Sequence, residues 1–210
     1  MAQDRPYILG LTGGIACGKS TVAKHLEELG AAHVDADAIS HQLTARGGAA
    51  LEAIRETFGD GVFTAEGDLD RRVLGDVVFH DPTQRRALEG ILHPMVQHEM
   101  LRLADEAGRN GKQVCVFNVP LLYETAMDAL CDEVWVVTLP EDKQIIRLMN
   151  RDSLTREDAA ARIASQMPLA EKEARAQFVL TTDRPEPDTR REAERKFRDL
   201  LRTLSRRKEG

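Results

Sequence analysis

A parallel β-sheet with helices on both faces, an α/β fold, is predicted by three observations. A short apolar run at residues 7–12 leads through a glycine-rich turn into an amphipathic helical pattern at 19–29, which Gly30 stops. Two later runs, 113–119 and 133–139, are almost continuously apolar, as strands covered on both faces should be. Between these groups, residues 38–107 carry helical spacing and little strand signal, so they are read as a helical lobe inserted between strands.

The elements follow in order. In the 19–29 helix Val22, Ala23, Leu26 and Leu29 form one apolar face, and a second strand is expected at 31–35. Within the lobe, Leu51, Ile54 and Phe58 share a face, Asp60-Gly61 makes a turn, and Leu69, Val73, Leu74 and Val77 form another face. Asp81-Pro82-Thr83-Gln84 is a helix start, with Asp as N-cap, Pro at the first helical position and Gln at the third. Pro94 falls inside that helix and is expected to kink or interrupt it. Pro140-Glu141-Asp142 opens a helix running to about residue 150, and 155–167 is a further short helix with Thr155 and Asp158 placed as a capping pair. Residues 178–181 read as an edge strand. Trp135, the single tryptophan, falls in a buried strand and is assigned to the core. Ala193, Phe197, Leu200, Leu201 and Leu204 make the basic-looking stretch at 191–208 an amphipathic closing helix rather than a nucleic-acid arm. The expected division is a core of 1–37, 110–145 and 170–210, a lobe of 38–109, and a small lid of 146–169.

With 210 residues, 42 % hydrophobic and 30 % charged, the chain can bury one real core. A net charge of −6 excludes any general attraction for nucleic acid or anionic membrane, so an anionic ligand must find positive charge gathered locally. No apolar stretch is long enough to span a bilayer, and no signal-peptide pattern precedes the first strand. The three cysteines, Cys17, Cys115 and Cys131, lack metal-ligand spacing and suit a reducing compartment, so a cytoplasmic protein, monomeric or weakly self-associating, is expected.

The chemistry concentrates in Gly13-Gly14-Ile15-Ala16-Cys17-Gly18-Lys19-Ser20, a GxxxxGK[ST] loop followed by Thr21. Glycines let successive backbone N–H groups turn inward onto phosphate oxygens, and the helix from Lys19 adds its positive end. Gly13, Gly14, Ala16, Cys17, Gly18, Lys19, Ser20 and Thr21 are therefore the expected ATP-binding residues. Lys19 is the cation reaching the β- and γ-phosphates, and the Ser20 hydroxyl is the protein ligand of Mg²⁺. The setting, strand before and amphipathic helix after, makes this a P-loop NTPase rather than a structural turn. Ala16 is expected to carry mild strain if its φ is positive, and Cys17 to fill space rather than act as a nucleophile.

A guanine-specific N-K-x-D element is absent, and the strand at 114–119 ends in Phe117-Asn118-Val119-Pro120 rather than in acidic residues. Small-molecule kinases instead place acceptor chemistry at the end of the strand after the P-loop helix, here Val34-Asp35-Ala36-Asp37. If the chain stays extended, the Asp35 and Asp37 carboxylates point to one side. There a carboxylate orients an acceptor hydroxyl and takes its proton. The competing reading has Asp37 as N-cap of a helix from Ala38.

At this point the chain resembles dephospho-CoA kinases. The resemblance rests on Leu11-Thr12-Gly13-Gly14-Ile15 leading into Gly18-Lys19-Ser20-Thr21, and on Val34-Asp35-Ala36-Asp37. It continues through Leu69-Asp70-Arg71-Arg72-Val73-Leu74-Gly75, Val78-Phe79 and Leu92-His93-Pro94. Val119-Pro120-Leu121-Leu122-Tyr123-Glu124 and Arg147-Leu148-Met149-Asn150-Arg151-Asp152 complete it, so the marks run in order over residues 7–170. The resemblance implies a nucleoside-monophosphate-kinase-like sheet with an acceptor lobe and a lid. It also implies transfer of a phosphate from Mg-ATP to the ribose 3′-hydroxyl of dephospho-CoA, the last step of coenzyme A synthesis. By the same match Asp37 is the acceptor-side base, Lys19 the phosphate clamp and Arg151 a lid arginine, with Arg147 on the same helical face. Asp35, Asp37, Arg72 and His93 are the expected acceptor-binding residues. For Arg71 and Arg72 a solvent-facing role stands beside pyrophosphate binding, and for His93 a structural hydrogen bond stands beside lining the cleft. Thr181-Thr182-Asp183-Arg184 departs from the Asn-rich turn of the family, which puts adenine contacts there in question.

Overall fold

The computed structural model describes residues 5–209. Strands β1 (Tyr7–Gly13), β2 (Ala32–Asp35), β3 (Val114–Asn118), β4 (Glu133–Thr138) and β5 (Phe178–Thr181) lie in the order β2-β3-β1-β4-β5. The pairings β1–β3, β1–β4 and β4–β5 are parallel, with Leu9 opposite both Val116 and Glu133. Helices α1 (Lys19–Glu28) and α9 (Glu186–Glu209) pack on one face of this sheet. Alternation along the strands decides which side chains meet them: Leu9, Leu11, Val114, Val116, Trp135 and Val137 join Val22, Ala23, Leu26, Ala193 and Phe197 in one core. The intervening Ile8, Cys115, Phe117, Val134 and Val136 are also buried. Both faces being covered explains why these strands are unbroken apolar runs. Trp135 is fully buried in the core, edge-on to Phe178, and donates its indole N–H to Glu133 Oε1 at 2.7 Å.

The chain divides into two compact units, one of residues 1–34 and 103–210, the other of residues 35–102. The second holds α2 (Ala36–Leu43), α3 (Leu51–Phe58), α4 (Arg71–His80) and most of α5 (Pro82–Arg109). Its own core is built on Ala50, Ile54, Val62 and Leu74, with Phe58, Leu69, Val77, Ile91 and Leu92 packed around them. Two expectations need correction in this unit. Helix α5 is not interrupted at Pro94. That residue is exposed, where water can satisfy a carbonyl deprived of its helical donor. Helix α2 begins two residues earlier than Ala38, and its N-cap is Asp35, whose carboxylate accepts the Ala38 N–H at 3.0 Å. The backbone is therefore helical from Ala36, and the extended geometry that would align Asp35 with Asp37 does not exist.

In the first unit α6 (Glu141–Asp152) and α7 (Arg156–Ala164) pack through Ile145, Leu148 and Ala159. Thr155 caps α7 by accepting the Asp158 N–H at 3.1 Å, and the helix ends three residues short of the expected 167. A short helix that sequence spacing did not reveal, α8 (Leu169–Arg175), carries the fully buried Lys172. Its ammonium donates to Pro120 O at 3.0 Å and pairs with Glu124 Oε1 at 2.7 Å. Thr12 Oγ1 donates to the same Pro120 oxygen at 3.0 Å, so one carbonyl of the loop after β3 joins α8 and the strand that enters the P-loop. A buried charge with a close partner and a second acceptor is tolerated; losing either partner would leave it uncompensated.

Burial pushes the thiols of Cys17, Cys115 and Cys131 each up to about 12. An unfolded chain ionises its thiols near about 8.5. The folded state thus holds these protons longer, and this contribution to stability is complete below about pH 8.5 and lost as pH rises toward about 12. A thiol-exchange reagent at about pH 8 is expected to leave the native protein essentially unmodified. All three cysteines should titrate in denaturant, and the urea midpoint should fall on moving to alkaline pH. Rapid labelling of the native protein would contradict the burial described.

Candidate active site

The P-loop owes its shape to how closely β1 runs beside β4. A β-carbon at Gly13 would stand 2.2 Å from the Val137 carbonyl oxygen, so no larger residue fits without parting the strands. Beyond it the chain turns through Ala16 at φ 60° and Gly18 at φ 84°, both left-handed. Gly18 adopts this freely, whereas Ala16 holds it under mild strain, as expected of the sequence. Cys17 N–H closes the turn on Gly14 O at 3.2 Å, and the Cys17 side chain, 1 % exposed, lies in the core as a filler. Helix α1 opens on Gly18 with no side-chain cap, which leaves its positive end for an external anion.

Polar side chains support the loop from outside. Gln166 Oε1 accepts the Ile15 N–H at 3.2 Å, while Ile15 and Ala16 pack against the core between α6 and α7. Thr182 Oγ1 donates to Cys17 O at 2.8 Å. Lys19 donates to the side-chain oxygen of Asn118, a buried residue at the end of β3. Ser20 and Thr21 are exposed in the first turn of α1. Among the described residues no group of three His, Cys, Asp or Glu side chains forms a metal site. A hydroxyl in the first helical turn beside a phosphate loop fits the magnesium that accompanies a nucleotide, since that ion takes one or two protein ligands and completes its shell from phosphate and water.

Arg147 is the arginine at the loop in this structure. Its guanidinium donates to Ala16 O at 3.4 Å and to the Thr182 hydroxyl and carbonyl at 3.3 Å each. It also lines a cavity of ≈ 270 Å³ that extends from Gly18 along α1, with Thr21, His25, Thr182, Arg184 and Arg190 among its walls. Arg151, one turn on, is exposed and held by Asp152 through two hydrogen bonds at 2.7 and 3.0 Å. The Arg151 guanidinium keeps the Asp152 carboxyl below the usual carboxylate range.

The acceptor-side candidates all lie in the second unit. Asp35 caps α2, and Asp37 is exposed in the first turn of that helix. Arg71 donates to His41 O at 3.2 Å and Thr44 Oγ1 at 2.8 Å, whereas Arg72 is largely exposed, with Asp76 at 3.9 Å. His93 is half-buried on α5. Sequence reasoning passed over Asn118 and Gln166. Asn118 had a signal, a polar residue closing an apolar strand; Gln166 had none, because its partner is a backbone amide 151 positions away.

Known proteins place this arrangement. The dephospho-CoA kinase family model matches residues 7–188. A dephospho-CoA kinase of Symbiobacterium thermophilum is 50 % identical over 173 residues, 82 % of this chain and 72 % of its own. One from Bacillus licheniformis is 42 % identical over 198 residues, 94 % of this chain and 96 % of that one. Among solved structures, a Thermus thermophilus protein has a TM-score of 0.79 at 34 % identity, covering 95 % of this chain and 98 % of its own. The dephospho-CoA kinase from Campylobacter jejuni has a TM-score of 0.69 at 30 % identity, covering 92 % and 96 %. A shikimate kinase from Acinetobacter baumannii, with a TM-score of 0.53 at 17 % identity, shares the fold. Residues matched by the family model include the glycine turn, its lysine, both arginines of α6 and the turn after β5, and the chain belongs to the dephospho-CoA kinase family.

Proposed function

We propose that the protein transfers the γ-phosphate of ATP to the ribose 3′-hydroxyl of dephospho-CoA, yielding coenzyme A and ADP. The observation that carries this reading is the uncapped start of α1 behind a left-handed Gly18, with Lys19 beside it, in a chain of this family. Loop amides and the helix end meet the triphosphate. Lys19 exchanges the neutral Asn118 amide oxygen for anionic phosphate oxygens, a stronger partner for an ammonium. Ser20 is the side chain that would hold Mg²⁺, which when bound offsets charge on the bridging phosphate oxygens. The cavity beside Arg147 takes the adenine end of the nucleotide, and the turn at Thr182 to Arg184 forms part of its wall.

On the acceptor side, Asp37 orients the hydroxyl and takes its proton as the new bond forms. In a loose transition state the proton leaves late, so holding the oxygen in line contributes more than basicity. Arg72 and His93 bind the acceptor, and Arg151 exchanges Asp152 for the transferring group when the lid, 146–169, closes. That exchange places a guanidinium on developing charge and excludes water that would hydrolyse ATP. Three free thiols fit a reducing, cytoplasmic setting, and among the described residues no helix is long and apolar enough to cross a membrane.

Purified protein with Mg-ATP is expected to release ADP in step with dephospho-CoA consumed, and to give no comparable turnover with nucleosides. Asp37→Asn should lower kcat on the order of 10²-fold while ATP still binds. Absence of turnover with dephospho-CoA would overturn the proposal. Full activity of the Asn variant would remove Asp37 from the chemistry.

A further inference from the structure

The cavity that runs from the P-loop along α1 ends on a histidine that the loop chemistry does not use. Gly18, Thr21, Val22 and His25 fall on one helical face at spacings of three, one and three, and all four line the cavity. Seven residues of helix rise carry the lining about 10 Å along the axis, away from the phosphate end. A volume of ≈ 270 Å³ lies below the range of about 300–1,000 Å³ that encloses a whole drug-sized ligand, and so suits a base rather than a complete nucleotide.

His25 is 7 % exposed, and its Nε2 is buried and makes no hydrogen bond among the described residues. Four other polar side chains of this wall have partners within the protein. Thr182 Oγ1 donates to Cys17 O, and Thr189 Oγ1 donates to Thr181 O at 3.3 Å. Arg184 pairs with Glu192 at 2.5 Å, and Arg190 pairs with Glu28. Glu28 also faces the other nitrogen of the imidazole: its Oε2 stands 3.5 Å from His25 Nδ1. Hydrogen bonds from Arg190, and then from His25, keep the Glu28 carboxyl below the usual carboxylate range. A carboxylate only accepts, so the ring hydrogen is assigned to Nδ1, and in the neutral imidazole Nε2 is then an acceptor.

Resting on the ATP reading of this site, we infer that His25 is its base-specificity residue, with Nε2 accepting a hydrogen bond from the exocyclic amino group of adenine. Guanine carries a carbonyl oxygen at the corresponding ring position. That substitution would set two acceptors against each other in a buried site, and an unmet buried acceptor is disfavoured enough to discriminate against the wrong base. Specificity here comes from a chain of contacts, Arg190 to Glu28 to His25, that orients the ring and holds its tautomer.

The test compares equilibrium binding of ATP, GTP and purine riboside triphosphate, which lacks the exocyclic amino group, by calorimetry on wild type and His25→Phe. Wild type should bind ATP on the order of tenfold more tightly than either of the others. In the variant the ratio of ATP to purine riboside triphosphate should collapse to about one. Equal wild-type affinities for those two nucleotides, or an undiminished ratio in the variant, would overturn the inference. The wild-type comparison stands even if the variant fails to fold. Turnover of dephospho-CoA is scored separately: if the base preference is present but that acceptor stays unphosphorylated, the acceptor assignment falls and His25 keeps its role.

Discussion

Everything at the donor site depends on the close pass of Gly13 beneath the Val137 carbonyl. With no side chain there, β1 and β4 stay paired to the last residue before the turn, and the turn begins directly over the carboxyl ends of the strands. Left-handed Ala16 and Gly18 then bring the chain around and release it into α1. An alanine held at φ 60° would relax in isolation. Here Gln166 on the Ile15 amide, Arg147 on the Ala16 carbonyl and Thr182 on the Cys17 carbonyl brace successive peptide units from three directions. Side chains of this chain thus hold the turn from outside, and a turn held in this way has less ordering left to oppose binding.

Charge is arranged with the same economy. A protein of net charge −6 must confine its positive potential if it is to attract a nucleotide and an anionic acceptor. Lys19 donates to the side-chain oxygen of Asn118, which holds its ammonium at the end of β3 beside the loop. Arg147 lies against two backbone carbonyls and a hydroxyl at the same loop. Arg151 is treated differently, bound to Asp152, which also receives Arg162 at 3.2 Å. Two arginines one helical turn apart therefore differ in placement: Arg147 is at the loop, and Arg151 is held by its neighbour Asp152.

Much of the fold was legible because its signals are local. The strands β3 and β4 are apolar runs, the P-loop is a fixed spacing, and the closing helix repeats its apolar face from Ala193 to Leu200. The misses share a different cause. At 35–37 two aspartates both suit an N-cap, and only the folded backbone selects Asp35. Pro94 is locally a breaker, yet a helix of 28 residues carries enough other hydrogen bonds to pass through it. The site showed the same division. The loop residues and Arg147 were readable from their motifs, whereas Gln166 and His25 matter through a contact with a segment distant in sequence or through a cavity wall, which no spacing encodes.

The central claim is that the backbone N–H groups of the turn after Gly13 receive the triphosphate. Backbone amide resonances followed while Mg-ATP is added test it most directly. The account predicts that the largest shifts cluster at Gly14 to Thr21, with saturation at one nucleotide per chain. A nucleotide that binds tightly while those amides stay unmoved would contradict it.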